Sequence, residues 1–237
     1  MARGFQTTHW SLILAARDPA QPAAREALTR VCATYWYPLY AFVRRKGYDP
    51  DEAQDLVQGF FVRLLEKGDL ARVDPARGKF RSFLLSSCTH YLANRRDRDR
   101  ARKRGGGRVA GPIDRREAES RYGREPAHGL TAERLFDRRW ALALLERVVA
   151  RLEGEMAASG KAGLFDRLKA TLTGRGDASR YAAVARELGM TEGAVKMAAL
   201  RLRRRYRAIL RAEIAPTVAD PAEIDEEIRT LFAALGG

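Results

Sequence analysis

Two arginine-rich stretches carry the most pronounced chemistry in this 237-residue chain. Arg95 to Arg116 holds ten basic and three acidic residues, and Glu192 to Arg211 holds seven basic and one acidic. Together they account for almost all of the formal net charge of +14. Such side chains make and break no bonds; they neutralise phosphates, and so point to a polyanionic partner rather than to a reaction. The plainer alternative is that each run is a solvated helix face. Nothing else supplies a reactive set, because His9, His90 and His128 are scattered and the Asp and Glu residues form no cluster fit for metal or acid–base work. A non-enzyme is expected, without catalytic residues, metal ligands or cofactor. Cys32 and Cys88 lie far apart in apolar helical patterns, which predicts buried thiols in a reducing cytosol rather than a disulfide. No apolar run approaches a bilayer span and the N-terminus lacks a signal-peptide layout, so a cytoplasmic chain with no membrane partner is expected.

Both blocks need elements to position them. Apolar residues recur at helical spacing nearly throughout, and no stretch alternates as a half-buried strand does. The fold is expected to be all-α, with two small helical domains joined by a flexible linker and a helix-turn-helix in the second. Thr7 or Thr8 can cap a short first helix bearing Trp10, Ile13 and Leu14. A longer helix follows through Ala24, Leu28, Val31, Cys32, Tyr35 and Trp36, which Pro38 should bend or break. Asp49 as N-cap, Pro50 at the first position and Asp51 with Glu52 on the dipole open the next, which runs to about Lys67 with Gly68 as its stop. Its apolar stripe is Leu56, Val57, Phe60, Phe61, Leu64 and Leu65, with Asp55, Gln58, Arg63 and Glu66 off the stripe. A fourth helix uses Phe80, Phe83, Leu84, Cys88, Tyr91 and Leu92, enters the first Arg block and ends at Gly105 to Gly107.

Arg108 to Gly129 is rich in Gly, Pro and charge and poor in apolar residues, which reads as a linker. The expected division is 1–104, an N-terminal helical domain; 105–130, the linker; 131–215, the helix-turn-helix domain; and 216–237, an acidic C-terminal helix. The second domain opens on a ridge of Phe136, Trp140, Leu144, Val148 and Leu152, followed by Leu164, Phe165, Leu168 and Leu172. From Glu213 onward the tail holds six acidic residues against Arg229 alone. Pro216 should break the preceding helix, and Asp220 with Pro221 should start one bearing Ile224, Ile228, Leu231, Phe232 and Leu235. This helix is expected to fold back on a basic surface. Its own second domain is the plain choice; screening of the second Arg block, or docking of a regulator, is the alternative.

Tyr181, Val184, Ala185 and Leu188 give a short amphipathic helix, then Gly189, Met190 and Thr191 make a turn before a second helix from Glu192. Gly189 can take the positive φ that ends the first helix, and Thr191 can cap the second. Val195, Ala199, Leu202 and Tyr206 would pack the second helix inward and leave its basic faces outward. Residues near its start then reach base edges in a major groove while the arginines hold phosphates. Thr191, Glu192, Lys196, Met197, Arg201, Arg203, Arg204 and Arg207 are the candidates, with Arg205 and Arg211 further cations. A helical hairpin inside a core would allow the same turn, but has no use for so many cations.

The fourth helix instead mixes aromatic, polar and basic residues along one length, as sites for single-stranded nucleic acid do. Phe80, Phe83 and Tyr91 share the core spacing, which leaves His90, Asn94, Arg95, Arg96 and Arg98 as the better contact candidates. The order of parts then resembles the bacterial RNA polymerase sigma factors of the extracytoplasmic-function type, within the sigma-70-like superfamily. The likeness rests on Asp55, Gln58 and Phe61 at D-x-x-Q-x-x-F spacing, on F-R-S-F-L from Phe80 to Leu84 ahead of the Arg block, and on Tyr181 to Lys196. It runs from about Thr8 to Ile214.

The resemblance implies that Asp55, Gln58, Phe61 and Arg63 grip the polymerase clamp. It implies that the helix from Phe80, with Lys79, Arg81, His90, Asn94, Arg95, Arg96 and Arg98, recognises and melts the −10 region as single strand. The loop Leu70 to Lys79 matches the element that receives a flipped base, Gly105 to Gly129 the segment that threads toward the polymerase active site, and the second domain the reader of the −35 duplex. Partners so implied are core RNA polymerase, through its clamp helices and flap, promoter DNA, and an anti-sigma factor or other regulator; the free chain is expected to be a monomer. A stand-alone helix-turn-helix regulator is the alternative. The chain departs from the family pattern with Cys88, Thr89 and His90 where many members read Ala-Arg-Asn, and with Gly59 where an acidic residue is common. A helical Gly costs roughly 1 kcal/mol against Ala.

Overall fold

The structure, a computed structural model, describes residues 22–66, 79–101, 115–125, 129–172, 178–218 and 220–236. Among the described residues the regular elements are helices and none is a strand, so the all-α expectation holds. They are α1 (Pro22–Arg45), α2 (Pro50–Glu66), α3 (Phe80–Ala101), α4 (Arg115–Tyr122), α5 (Ala132–Ala158), α6 (Ala162–Leu168), α7 (Ala178–Leu188), α8 (Glu192–Ile214) and α9 (Ile224–Leu235). No helix among these residues is long and apolar enough to cross a membrane. The expected helix near Trp10, the base-receiving loop up to residue 78 and the glycines 105–107 lie outside the described residues.

The chain divides into two compact units, Met1–Ala143 with Ile214–Gly237, and Leu144–Glu213. The boundary between these units falls inside α5, and the tail belongs to the first unit. Part of the expected linker is itself helical, because Arg115–Tyr122 forms α4 and packs on α1 and α2. Its anchors are polar. Glu119 takes the Arg44 guanidinium at 2.8 and 3.1 Å and the Tyr40 hydroxyl, and Glu125 accepts from the Tyr37 hydroxyl at 3.0 Å and pairs with Arg139. Fully buried Ala118 lets the helix approach closely. Burial first, and then these carboxylates, push the hydroxyls of Tyr37 and Tyr40 above their ordinary pKa and keep them as donors.

The core of the first unit gathers Tyr35, Trp36, Leu39, Tyr40 and Phe42 of α1, Val57 and Phe60 of α2, Phe80, Leu84 and Cys88 of α3, and Phe136 and Trp140 of α5. Fully burying each large apolar side chain stabilises by about 1.5–3 kcal/mol. That explains why α1 runs unbroken through Pro38, where a helix end or bend was expected. An interior Pro costs about 3 kcal/mol, and the buried residues on either side of it offset that. The start of α2 is as expected, since Asp49 Oδ1 accepts the Glu52 amide at 2.8 Å and Pro50 is the first helical residue. Burial pushes the Cys88 thiol up to about 12 and the Cys32 thiol up to about 11.

In the second unit, Leu144, Val148 and Leu152 of α5 are buried, as are Phe165 and Leu168 of α6, Val184 and Ala185 of α7, and Val195, Ala199, Leu202 and Tyr206 of α8. Gly189 has φ +62° and the Met190 amide donates to the Ala185 carbonyl at 2.9 Å, so α7 ends in a Schellman motif. Thr191 then caps α8, its hydroxyl oxygen accepting the Ala194 amide at 3.2 Å. Glu213 binds Arg147 and, at 3.4 Å, Arg151. Burial alone would raise its pKa; the two guanidiniums outweigh that and hold it below the ordinary range.

Candidate nucleic-acid interface

Along α2, Asp55 is exposed and Gln58 and Arg63 are half-exposed, with the Arg63 guanidinium 5.9 Å from the centre of the Tyr91 ring. Phe61 does not join them. Its side chain is buried, with its ring centre 5.6 Å from that of Phe60, so in this fold it supports the helix from beneath and offers no surface to a partner. Val62 does lie on the exposed face, one turn after Gln58 and two after Asp55, and apolar periodicity gave no reason to single it out. Gly59 has a packing cause: a Cβ there would stand 2.5 Å from the Tyr91 hydroxyl, so α2 and α3 meet where only a hydrogen fits.

The candidates on α3 fall into two groups. His90, Asn94, Arg95 and Arg96 are exposed, His90 and Asn94 one turn apart on one face, and the Arg96 guanidinium lies 5.2 Å from the Tyr48 ring centre. The side chain of Arg98 lies outside the described residues. At the start of the helix the cations are paired within the fold. Arg81 is buried, 4.9 Å from the Trp140 ring centre, and its Nε donates to Glu227 at 2.7 Å while another nitrogen pairs with Asp137. Burial opposes the Arg81 charge, but the two carboxylates more than offset it and raise its pKa. Lys79 pairs with the same Glu227 at 2.7 Å and with Glu226 at 3.8 Å. Neither cation is open to a phosphate in this fold. The tail thus meets the start of the helix that carries the first basic block. Phe80 is in the core, edge-on to Tyr35, and Tyr91 packs near Phe60, as their spacing suggested, while Phe83 is half-buried.

On α8, Glu192, Lys196, Met197, Arg201, Arg204, Arg207 and Arg211 are exposed, with Met197 opposite the buried stripe of Val195, Ala199 and Leu202. Lys196 lies 3.8 Å from Glu192, one turn back. Leu200 adds a second exposed apolar side chain. Arg203 is turned inward instead, donating to the Thr171 carbonyl at 3.0 Å and the Tyr181 hydroxyl at 3.1 Å, so it braces α7 and the turn before it rather than facing outward. Arg205 makes a two-toothed pair with Glu155 at 2.6 and 2.7 Å. Among the described residues no group of His, Cys, Asp or Glu could hold a metal ion.

Residues 34–103 match the family model Sigma-70 region 2. The match supports a sigma-70 family member. The matched segment contains the exposed face of α2 and both groups of cations on α3, whereas α7, α8 and α9 lie beyond it. No curated protein and no solved structure matches the chain.

Proposed function

We propose that the chain is a sigma factor of the extracytoplasmic-function type, which binds core RNA polymerase in the cytoplasm and directs promoter recognition, melting and initiation. The observation that carries the reading is the region 2 match over residues 34–103 together with a second, separate cationic helix far beyond it. In this reading Asp55, Gln58, Arg63 and Val62 meet the polymerase clamp. His90, Asn94, Arg95 and Arg96 hold the opened −10 strand, where polar and cationic groups offset the few kcal/mol lost when a base leaves its stack.

The pair α7–α8 acts as a helix-turn-helix on the −35 duplex. What supports this is the Schellman turn at Gly189, the Thr191 cap and the exposed row Lys196, Met197, Arg201, Arg204 and Arg207. Met197 suits contact with thymine methyls, and the arginines suit phosphates. The catalytic metal and the polymerisation chemistry belong to the polymerase. Run-off transcription from candidate promoters with core polymerase, with and without the chain, tests the reading: transcripts of defined start are expected only with both. Tight duplex binding by the chain alone, with no initiation in its presence, would instead favour a stand-alone regulator.

A further inference from the structure

The C-terminal helix holds an arrangement that the sigma-factor reading does not use. Glu227 is fully buried, and its two carboxylate oxygens take Lys79 and Arg81, each at 2.7 Å. Two cations on one anion is the geometry a phosphate would receive. The other groups facing this cluster are Asp137, paired with Arg81, Glu226, near Lys79, and the ring of Trp140. As an anchor alone the cluster is poorly chosen, because a buried ion pair gives a fold no more than well-packed apolar residues of similar volume. An ionic seat differs in one respect: a polyanion can compete for it.

The apolar seat of α9 is correspondingly thin. Ile224 and Leu231 are buried, Ile228 and Leu235 are half-buried, and Phe232 remains 49% exposed. A short helix held by two buried and two half-buried apolar residues and an ion cluster belongs to the low-stability end of a fold, where local opening occurs. Its seat lies at the start of the same helix whose later turns expose His90, Asn94, Arg95 and Arg96, beginning roughly 13 Å further along the axis at 1.5 Å per residue.

We propose that α9 is an acidic lid on the start of α3, with the Glu227 carboxylate occupying the place that a DNA phosphate takes when the lid is displaced. The proposal rests on α3 being the single-strand element. In the free chain the lid withholds Lys79 and Arg81, and DNA binding and lid release are coupled, each favouring the other.

The test uses the full chain and a fluorescein-labelled single-stranded DNA of mixed sequence, since phosphate contacts are sequence-independent. Glu227→Gln should bind several-fold tighter than the unaltered chain at low salt. Its dependence of log K on log salt should steepen by up to about 1.4, for two further contacts at about 0.7 each. Adding Lys79→Gln should remove about half of that gain. Hydrogen exchange on the unaltered chain gives an independent reading, which also decides the matter if Glu227→Gln does not fold: amides of residues 224–235 should lose protection when DNA is bound. Equal or weaker binding by a folded Glu227→Gln, or an α9 that stays protected on DNA, would overturn the lid and leave the sigma-factor reading standing. Absence of run-off transcription with the unaltered chain would fail that reading first, and the lid with it.

Discussion

The two cationic helices solve opposite problems with the same side chains. On α8 the buried stripe of Val195, Ala199, Leu202 and Tyr206 forces the arginines outward, and five of them, Arg201, Arg204, Arg205, Arg207 and Arg211, stand exposed. On α3 the first cations, Lys79 and Arg81, are drawn in by a buried carboxylate from a helix 146 residues away in sequence, and only the later ones reach the surface. Arg203 shows the same contrast within α8 itself, bonded to Thr171 and Tyr181 while its neighbour Arg204 is exposed. Whether a cation serves fold or ligand is therefore decided by the acceptor opposite it. Membership in a basic run does not decide it.

That contrast is most easily broken at Arg81. Arg81→Ala leaves Glu227 buried with Lys79 as its remaining ion-pair partner and should cost the first unit about 3–5 kcal/mol in denaturant unfolding. A loss below 1 kcal/mol with the amides of α9 still protected from hydrogen exchange would mean that the cluster is solvated and the inward role assigned to Arg81 is mistaken. On α8, Arg204→Ala and Arg207→Ala should leave stability within about 0.5 kcal/mol while each flattens the salt dependence of duplex binding by about 0.9. Arg203→Ala should do the reverse, lowering stability by about 1–2 kcal/mol with the salt slope kept.

Glu213 sharpens the comparison from the acidic side. Glu213→Gln should cost the second unit about 1–2 kcal/mol near neutral pH. Because the folded carboxyl is held below its ordinary range, its contribution is present above the unfolded pKa of about 4.3 and fades as pH falls through the lower folded value. Unfolding of the two proteins should thus converge in acid, and a gap that widens there would refute the sign. A packing test of the first unit lies at Gly59. Gly59→Ala gains roughly 1 kcal/mol of helix propensity but forces the Tyr91 hydroxyl aside at about 1–3 kcal/mol. A net loss of up to about 2 kcal/mol is expected, and Tyr91→Phe in the same chain should relieve part of it. A clear stabilisation by Gly59→Ala alone would remove the packing explanation.

These residues also show which parts of the fold the sequence discloses. Helices carried by apolar periodicity were legible, including the ridge from Phe136 to Leu152, the stripe of α2 and the inward face of α8. So were local signals whose partners lie within a few residues, such as Asp49, Gly189 and Thr191. Elements anchored by polar partners were not. The helix α4 reads as a linker because its anchors are Glu119 and Glu125 against Tyr40, Arg44, Tyr37 and Arg139, all distant in sequence. The docking of α9 was hidden for the same reason, since nothing local distinguishes Glu227 from the exposed Glu226 beside it. Of the candidate site, the outward residues of α3 and α8 followed from helical spacing, while Arg81, Arg203 and Phe61 needed the third dimension to be reassigned inward.

The measurement that bears most directly on the paired reading is permanganate footprinting of a promoter that supports run-off transcription. Thymines of the downstream element should become reactive only when the chain and core polymerase are both present, reporting single-stranded DNA. The upstream element should stay unreactive and be shielded from cleavage, reporting a bound duplex, with the shielding weakened by Arg204→Ala and Arg207→Ala. Reactive thymines in the upstream element, or none in either, would contradict the division between a single-strand site on α3 and a duplex site on α8.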